Sequence, residues 1–398
     1  MLKSIFYKLQ YLSHHKQQYA LILLDPHGDL AGEILKFRLN TLKPQRVVYI
    51  DPVWEEGKTP CINPFWQKVS NPAIIDLLAG QFAKTFSELV ADATLSLQME
   101  AVLKPCLAVL FEHGESSLKD LQAFMNDSQN EYWVELGKKS SFGVYRQFFQ
   151  TAFLNKKYAA TKLAIYTRLQ HLQNNYNFFY LMNGKNTIDL NKEIQQGKII
   201  LFNLSKGKLG ADASKALWKF ITASLLSSAL QRAFEPEYSR KTTYLFVDEF
   251  HNFVSESMET VFSEIRKYKL HIIVGTQSLN QLPKSLKDMV LNNTAIKLVG
   301  INGLPALKSQ AGDLGVSYYA LQQLQPFEFY LKYDHYKAIK IQSPNFLIQS
   351  QSKYYMSHKQ MMALKQKVLL ENRLYKSIKN KETAEHKNTE IYTPKFEL

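Results

Sequence analysis

The sequence has few cysteines and no long apolar run, and each shortage excludes a class of protein. Cys61 and Cys106 are the two cysteines among 398 residues, too few for a disulfide framework and without metal-ligand spacing. We expect both to be structural thiols in a reducing compartment. No apolar stretch reaches the roughly 18–20 residues that a membrane-spanning helix needs. Residues 3–18 are too polar for the core of a signal peptide, so we expect a cytoplasmic chain.

Acidic residues are also in short supply relative to basic ones. The chain has 49 Lys and Arg against 35 Asp and Glu, which gives a formal net charge of +14 at pH 7. This balance favours an anionic partner, either nucleic acid or a membrane surface, although many basic proteins bind nothing anionic. The length is sufficient for a large core and suggests two or three domains.

Two apolar segments of strand length, residues 243–250 and 270–277, each end in polar residues. The first is a Walker B pattern, in which a buried strand places Asp248 and Glu249 at the carboxyl edge of a sheet. There Asp248 can serve Mg²⁺ through water, and Glu249 can orient or deprotonate the water that attacks a γ-phosphate. Gln277 would reach the same edge and sense the phosphate or position that water. The alternative is a buried strand that ends in two solvated acids.

The first residues of the chain match the end of a P-loop. A P-loop reads G-x-x-x-x-G-K-[ST], with the Lys on the β- and γ-phosphates and the Ser or Thr on Mg²⁺. Here Lys3-Ser4 is followed by a predicted helix over 5–18 and a predicted strand over 19–25, which is the order that follows the glycines. The glycines and the strand before them are absent from the sequence. We interpret the chain as beginning inside a Walker A motif.

Further motifs follow in a specific order. They are residues 23–30 (LLDPHGDL), 46–52 (RVVYIDP), 62–64 (INP), 197–210 (GKIILFNLSKGKLG), 247–253 (VDEFHNF) and 263–270 (SEIRKYKL), which leads into GTQSLNQL. Together with the residues above, this order resembles the conjugative coupling-protein and HerA-like translocase ATPases of the HerA/FtsK superfamily. The resemblance is to the TraG/TraD type found with type IV secretion and covers about residues 3–340.

The resemblance implies a fold, cofactors and partners. The fold would be α/β, a RecA-like P-loop NTPase core with a mainly parallel sheet whose first strand is missing, and with an all-α insertion domain. The cofactors would be ATP and Mg²⁺. The partners would be DNA, further copies of the chain in a hexameric ring, and components of type IV secretion or of the relaxosome. The location would be cytoplasmic, including the periphery of the inner membrane.

The periodicity of apolar residues predicts four parts of the chain. Strand-like and helix-like segments alternate in two of them, whereas apolar positions at helical spacing without strand signals fill a third. Within the fourth, a helix is predicted over 359–379. The four parts are residues 1–65, the first part of the ATPase core; 66–186, the all-α insertion; 187–342, the second part of the core; and 343–398, a basic, partly helical tail. Within the second part of the core, strands are predicted at 198–204, 243–248, 270–276 and 295–301, and a hairpin over 327–342.

Three further assignments concern residues near the expected nucleotide. Arg266 falls near the end of the helix predicted over 254–268 and, in a ring ATPase, would reach the γ-phosphate of a neighbouring subunit. The alternative is a basic residue that favours a helix C-terminus. Asp25 ends the first strand next to the expected nucleotide, and we count it with Lys3 and Ser4 among the cofactor-binding residues. We expect it to support the site or shape the turn rather than take a direct part in catalysis. The loop 206–210 either binds phosphate through backbone N–H groups and lysines or is a simple turn.

The function that these motifs indicate is that of an ATP-driven DNA translocase, impaired in the chain as given because the glycine loop is absent. One alternative is a non-hydrolysing remnant that acts as a binding or interaction module. Another is a motor that moves protein rather than DNA. Most aromatic residues are expected in the core. For five aromatic residues of the helical part, stacking on single-stranded bases is the other possibility: Phe148, Phe149, Phe178, Phe179 and Tyr180.

Overall fold

The chain opens with alternating helices and strands. The structure is a computed structural model that describes residues 1–16, 18–89, 96–252, 265–371 and 374–378. Strand β1 is apolar and buried along its whole length up to its final aspartate, as expected for a parallel strand covered on both faces. The first elements are α1 (Leu2–His15), β1 (Ala20–Asp25), α2 (Asp29–Leu35), β2 (Val47–Ile50) and the short β3 (Lys58–Thr59).

Helices follow over the next part of the chain. Where residues 66–195 are described, they contain no strand. The first of these helices is capped at its N-terminus. Pro72 occupies its first turn, and the side chain of Asn71 accepts a hydrogen bond from the backbone N–H of Ala73. The helices are α3 (Pro72–Ser87), α4 (Ser96–His113), α5 (Leu118–Phe124), α6 (Glu131–Gly137), α7 (Gly143–Thr151), α8 (Ala159–Gln173), α9 (Tyr176–Met182) and α10 (Leu190–Gln195).

The chain then returns to the sheet. Next come β4 (Ile199–Asn203), α11 (Lys206–Leu209), α12 (Ala211–Gln231), β5 (Thr243–Val247) and β6 (Leu270–Val274). Helix α12 joins the sheet to the helical part, because Phe220 packs against Phe86 and Phe82 of α3, with ring centroids 4.7 and 6.5 Å apart. One continuous apolar core therefore connects the helices with the sheet. The proposed limits of the four parts remain predictions.

The central sheet has five strands in the order β2-β4-β1-β5-β6, and every neighbouring pair is parallel. Leu24 is in register with Val247, so β1 and β5 end side by side. Asp25, Asp248 and Gln277 consequently follow three adjacent strands at one carboxyl edge. The prediction that the strands leading to these residues lie parallel in a single sheet is confirmed, as is the α/β, RecA-like fold class with its helical part.

A second, smaller sheet follows. Strands β7 (Ile296–Val299), β8 (Glu328–Tyr333) and β9 (Ile339–Gln342) are antiparallel, in the order β7-β8-β9. They pack on a separate apolar cluster that includes Leu307, Leu314 and Leu321. The predicted strand and hairpin therefore exist, but they lie outside the parallel sheet. The helices of this region are α13 (Lys284–Asn293), α14 (Leu304–Leu314) and α15 (Tyr318–Gln322).

The end of the described chain packs back on the first strands. The prediction of one helix over 359–379 is wrong at residues 376 and 377, because β10 (Lys376–Ser377) pairs antiparallel with β3. The hydroxyl of Tyr375 donates to the backbone oxygen of Tyr49 at 2.9 Å and accepts from the amide of Asp51 at 3.2 Å. These bonds attach this end of the chain to the residues around the end of β2. The helices here are α16 (Phe346–Gln349), α17 (Gln351–Tyr354) and α18 (His358–Gln366), with a π-helix at Lys367–Glu371.

Two general expectations concern thiols and membrane helices. Cys61 and Cys106 are both free and buried, as expected for structural thiols. Within the described ranges, each helix is too short or too polar to cross a bilayer.

Candidate functional site

The site is built around the residues that follow β5. The backbone N–H of Glu249 donates to Asp248 Oδ1 at 3.1 Å. Burial raises the pKa of Asp248 above its usual value, and the nearby charges of Asp25 and Glu249 raise it further, against the lowering effect of that hydrogen bond. Glu249 has φ of 48°, a left-handed conformation that is uncommon for residues other than glycine. The chain therefore makes a strained turn where the two carboxylates stand.

The side chain of Gln277 meets Glu249 across the ends of β5 and β6. Gln277 Nε2 donates to Glu249 Oε1 at 2.8 Å, while His251 Nδ1 lies 3.4 Å from Glu249 Oε2. Gln277 therefore orients one carboxylate oxygen, and His251 lies close to the other. Asn302, which follows β7, donates to the backbone oxygen of Gln277. Sequence reasoning predicted Glu249 and Gln277 and had no signal for Asn302.

The carboxylate of Asp25 is hydrogen-bonded within the turn that follows β1. It is buried, with Oδ1 accepting from the amide of His27 at 3.0 Å and Oδ2 from the amide of Ala31 at 2.8 Å. Between them, Gly28 has φ of 87°, and a Cβ on it would lie 2.1 Å from Asn203 Oδ1. The turn therefore needs glycine for both its conformation and its space. Asp25 therefore shapes this turn, and its role as a cofactor-binding residue remains a prediction.

The first residues of the chain lie near Asp248, but the side chains of Lys3 and Ser4 are directed elsewhere. Lys3 Nζ forms an ion pair with Glu33 Oε2 of α2 at 3.0 Å, and Ser4 Oγ donates to the backbone oxygen of Pro344 at 3.4 Å. Leu2 is the residue that approaches the site. A Cβ built on Gly275 would lie 2.6 Å from Leu2 Cδ1 and 3.0 Å from Asp248 Oδ1. The structure thus brings the chain start to the expected edge without joining Lys3 to Asp248.

Arg266 is at the other end of the sheet. It is exposed in a 3-10 helix, Ile265–Tyr268, that comes directly before β6. The site lies beyond the carboxyl end of that strand, so Arg266 and Gln277 are separated by the length of β6. Most of the helix predicted over 254–268 falls on residues 253–264, which lie outside the described residues.

A buried polar network lies beside the turn after β1, and sequence reasoning missed it. Asn203 Nδ2 donates to the hydroxyl oxygen of Tyr49 at 2.6 Å, and Lys208 Nζ forms an ion pair with the buried Asp51 Oδ2, also at 2.6 Å. Lys208 belongs to the loop considered for phosphate binding and is already paired. The available signal was that β2 and β4, like β1, end in polar residues at one edge.

The donor set suits a magnesium ion that is shared with a nucleotide. Among the described residues no group of three or more His, Cys, Asp or Glu forms a metal cluster. Mg²⁺ in nucleotide sites is typically bound through one or two protein oxygens, with phosphate oxygens and water as the other ligands. Asp248, half-buried at the edge with Gly275 beside it, provides one such oxygen.

Comparison with known proteins gives a family match over part of the chain and a fold match over most of it. Residues 242–322 match the TraG-D_C family, described as the TraM recognition site of TraD and TraG. The bacterial conjugative coupling protein TrwBdeltaN70 in its unbound form aligns with a TM-score of 0.59 at 13% identity, covering 86% of this chain and 82% of that one. No curated protein matches.

Two further structures support the same fold. Plasmid coupling protein TrwB in complex with ADP and Mg²⁺ aligns with a TM-score of 0.59 at 14% identity, with coverage of 86% and 82%. VirB4 of Thermoanaerobacter pseudethanolicus aligns with a TM-score of 0.53 at 18% identity, with coverage of 86% of both chains. The chain therefore has the RecA-like α/β fold of the conjugative coupling protein TrwB, and its residues 242–322 match the TraD and TraG family model.

Proposed function

We propose that the chain is the motor part of an ATP-driven DNA translocase, a coupling ATPase of conjugation or type IV secretion. The observation that carries the proposal is the hydrogen bond between Gln277 and Glu249 beside Asp248, at the carboxyl edge of a parallel sheet. TrwB has been solved with an ATP analogue, a GTP analogue, and ADP with Mg²⁺. ATP and Mg²⁺ are therefore the proposed cofactors of this chain.

The three edge residues have distinct tasks in this proposal. Asp248 holds the magnesium ion, which on binding neutralises phosphate charge. Burial raises the pKa of Asp248 and so disfavours its ionised form. A cation bound next to the carboxylate would offset that cost. Glu249 orients the attacking water and takes its proton. Gln277, which donates to Glu249 Oε1, would sense the γ-phosphate.

Lys3 and Ser4 are the proposed phosphate and magnesium ligands at the start of the chain. For this they must leave Glu33 and the backbone oxygen of Pro344. Only Met1 and Leu2 precede Lys3, so residues 1–398 include no glycine loop. Each backbone N–H that is missing from a charged phosphate removes roughly 1.5–3 kcal/mol. We expect residues 1–398 on their own to hydrolyse little ATP.

Arg266 is proposed to act on another copy of the chain. It is exposed at the amino end of β6, away from the site of its own chain, so only a neighbouring subunit can bring it to a γ-phosphate. This supports a ring, which we propose to be a hexamer that threads DNA through a basic channel. The net charge of +14 supports an anionic cargo. The family description of residues 242–322 supports a relaxosome protein of the TraM kind as a partner.

A second candidate function is that of a binding module without hydrolysis. The position of Leu2 favours it for residues 1–398 alone, because its side chain lies beside Gly275 where phosphate would need close approach. A motor for protein cargo has no specific observation in its favour.

The test compares ATP hydrolysis by residues 1–398 with that of a version extended by the natural in-frame upstream segment, if that segment encodes a strand and G-x-x-x-x-G. The extended version should hydrolyse ATP and be stimulated by DNA, and Glu249→Gln should abolish this. Glu237→Gln, a change in an exposed turn, is the matched control.

Three results would redirect the proposal. If the Glu249→Gln variant of the extended version hydrolyses ATP at an ordinary rate, Glu249 takes no part in the hydrolysis step. Nucleotide binding without hydrolysis in the extended version supports the binding module. An ordinary rate from residues 1–398 that Lys3→Ala leaves unchanged shows that the phosphate site is not at Lys3.

A further inference from the structure

The turn between β8 and β9 is ordered and carries aromatic side chains. We call residues 333–337 the hairpin tip. Asp334 has φ of 49°, and its amide donates to the backbone oxygen of Ala295 at 2.7 Å. The amide of Tyr336 donates to the backbone oxygen of Tyr333 at 3.0 Å. The tip is therefore held in one shape by its own backbone and by β7.

Three rings of the hairpin tip form a stack that faces solvent. The rings of Tyr333 and Tyr336 are 5.8 Å apart with an interplanar angle of 9°, and the ring of His335 lies 4.5 Å from Tyr336 at 26°. Tyr333 is 52% exposed and Tyr336 58% exposed. Neither tyrosine belongs to the two apolar cores of the described chain. Packing inside the molecule does not explain this stack.

The other aromatic residues considered for base stacking are buried or partly buried, and Phe148, Phe179 and Tyr180 are the partly buried ones. Phe149 of α7 and Phe178 of α9 are buried, with 2% and 0% exposure. They form part of the main core, together with Phe124 and Phe153. Among the described residues, a parallel pair of half-exposed tyrosines is found at the hairpin tip.

The base of the same hairpin touches the candidate nucleotide site. Ser343, directly after β9, donates through Oγ to Met1 Sδ at 3.8 Å, and the oxygen of Pro344 accepts from Ser4. Five residues of β8, residues 328–332, separate the base from the tip, or about 17 Å at 3.3 Å per residue. The tip is thus distant from the nucleotide edge and connected to it by a single hairpin.

We propose that the hairpin tip binds single-stranded nucleic acid by stacking a base on the rings of Tyr333, His335 and Tyr336. This inference rests on the proposed function, because it assigns a contact for the DNA that the motor would move. Every base has a π-face, so such stacking tolerates any sequence. Lys337 is exposed next to the rings and is placed to meet a backbone phosphate. Asp334, the acidic residue of the tip, is 3.2 Å from the His335 ring nitrogen.

The test measures binding of a fluorescent oligothymidylate of about 16 nucleotides to the full 398-residue chain by anisotropy. Tyr333→Ala with Tyr336→Ala should weaken binding by about tenfold or more, since each stacked base is sensitive to such truncation. Tyr333→Phe with Tyr336→Phe should retain wild-type affinity, because the rings remain. The salt dependence should stay unchanged, since no phosphate contact is removed. Tyr238→Ala, at a tyrosine that is 87% exposed elsewhere, is the control.

Several results would overturn the inference. If the alanine double variant and the wild-type chain bind DNA with equal affinity, the hairpin tip does not contribute to DNA binding. That result would not contradict the proposed motor function. Absence of any wild-type binding to DNA overturns both. A change in oligomeric state on sedimentation, with DNA affinity unchanged, would assign the tip to contact with a second copy. Equal melting temperatures of the variants show that the fold is retained.

Discussion

The side chains of Gln277 and Glu249 are joined by a hydrogen bond of 2.8 Å, although 28 positions separate them in the sequence. The bond crosses the ends of two adjacent parallel strands and orients the carboxylate proposed to handle water. It also makes the pair sensitive to charge, because an amide donor faces a carboxylate. Exchange of that amide for a second carboxylate would place like charges together.

Gln277→Glu should therefore destabilise the chain at low salt by about 0.5–1 kcal/mol, since an exposed carboxylate would face the half-buried like charge of Glu249. The cost should shrink at high salt, because ions screen the repulsion between charges near the surface. Chemical denaturation at the two salt concentrations measures this difference. Gln323→Glu, at an exposed position after α15, should show no such salt dependence. A cost that is equal at both salt concentrations would mean that the two side chains do not meet in solution.

Asp248→Asn should raise the melting temperature at neutral pH. The folded chain holds the Asp248 carboxyl at a raised pKa because of burial, so its ionised form opposes folding. This cost to the free energy of unfolding is complete above the raised pKa of the folded chain and vanishes below the ordinary pKa of an aspartate. The stability gained by Asp248→Asn should therefore fall as the pH is lowered. Scanning calorimetry between pH 4 and pH 8 would show it. A loss of stability at neutral pH would contradict the conclusion that the ionised carboxylate of Asp248 opposes folding.

Asp25→Ala is the contrasting change at the same edge. It removes the acceptor of two backbone N–H groups, from His27 and Ala31, inside a buried turn. We expect a loss of about 1–3 kcal/mol in the free energy of unfolding. Denaturant titration measures this loss. Asp25→Asn, which keeps one acceptor oxygen, should lose less.

Gly28→Ala should destabilise the turn after β1 for two separate reasons. The positive φ of 87° costs about 1–2 kcal/mol for a residue with a Cβ, and that Cβ would collide with Asn203 Oδ1. Asn203→Ala removes the collision but not the cost of the conformation. In a double-mutant cycle, the second change should therefore restore only part of the stability lost by the first. Full restoration, or none, would show that one of the two causes is absent.

His14 should make the fold sensitive to acid. Burial lowers the pKa of His14 to about 4, and the nearby charges of Arg46, Lys43 and His15 contribute. The unfolded chain takes up this proton near pH 6.5, whereas the folded chain does so only near pH 4. Stability should therefore fall between these values, by up to about 3 kcal/mol.

His14→Gln should remove that part of the pH dependence. Denaturant titrations at pH 7, 5.5 and 4.5 would measure the slope. His358→Gln, at an exposed position at the start of α18, should leave the slope as it is. An unchanged slope in His14→Gln would show that another group causes the acid sensitivity.

Local patterns in the sequence were sufficient for the parallel strands and their polar ends. A strand buried on both faces reads as a continuous apolar run, and the aspartates that follow β1 and β5 mark the point where the chain leaves the sheet. Since parallel strands share a carboxyl edge, Asp25, Asp248 and Gln277 could be placed together from the sequence alone. Helical spacing likewise predicted the helical character of residues 66–186, which contain α3 to α9.

Partners that are distant in sequence were decided by the tertiary structure. Nothing local distinguishes Glu33 as the partner of Lys3, or Asn302 as the partner of the Gln277 backbone, because such pairs depend on how separate elements meet. The same holds for Tyr375, whose buried hydroxyl bonds the backbone of Tyr49 next to the strand that pairs with β3. Local periodicity in the sequence determined the strands, their direction and the polar residues at their ends. Contacts of those residues across the sheet, such as Gln277 with Glu249, were decided only by the packing of segments that are distant in sequence.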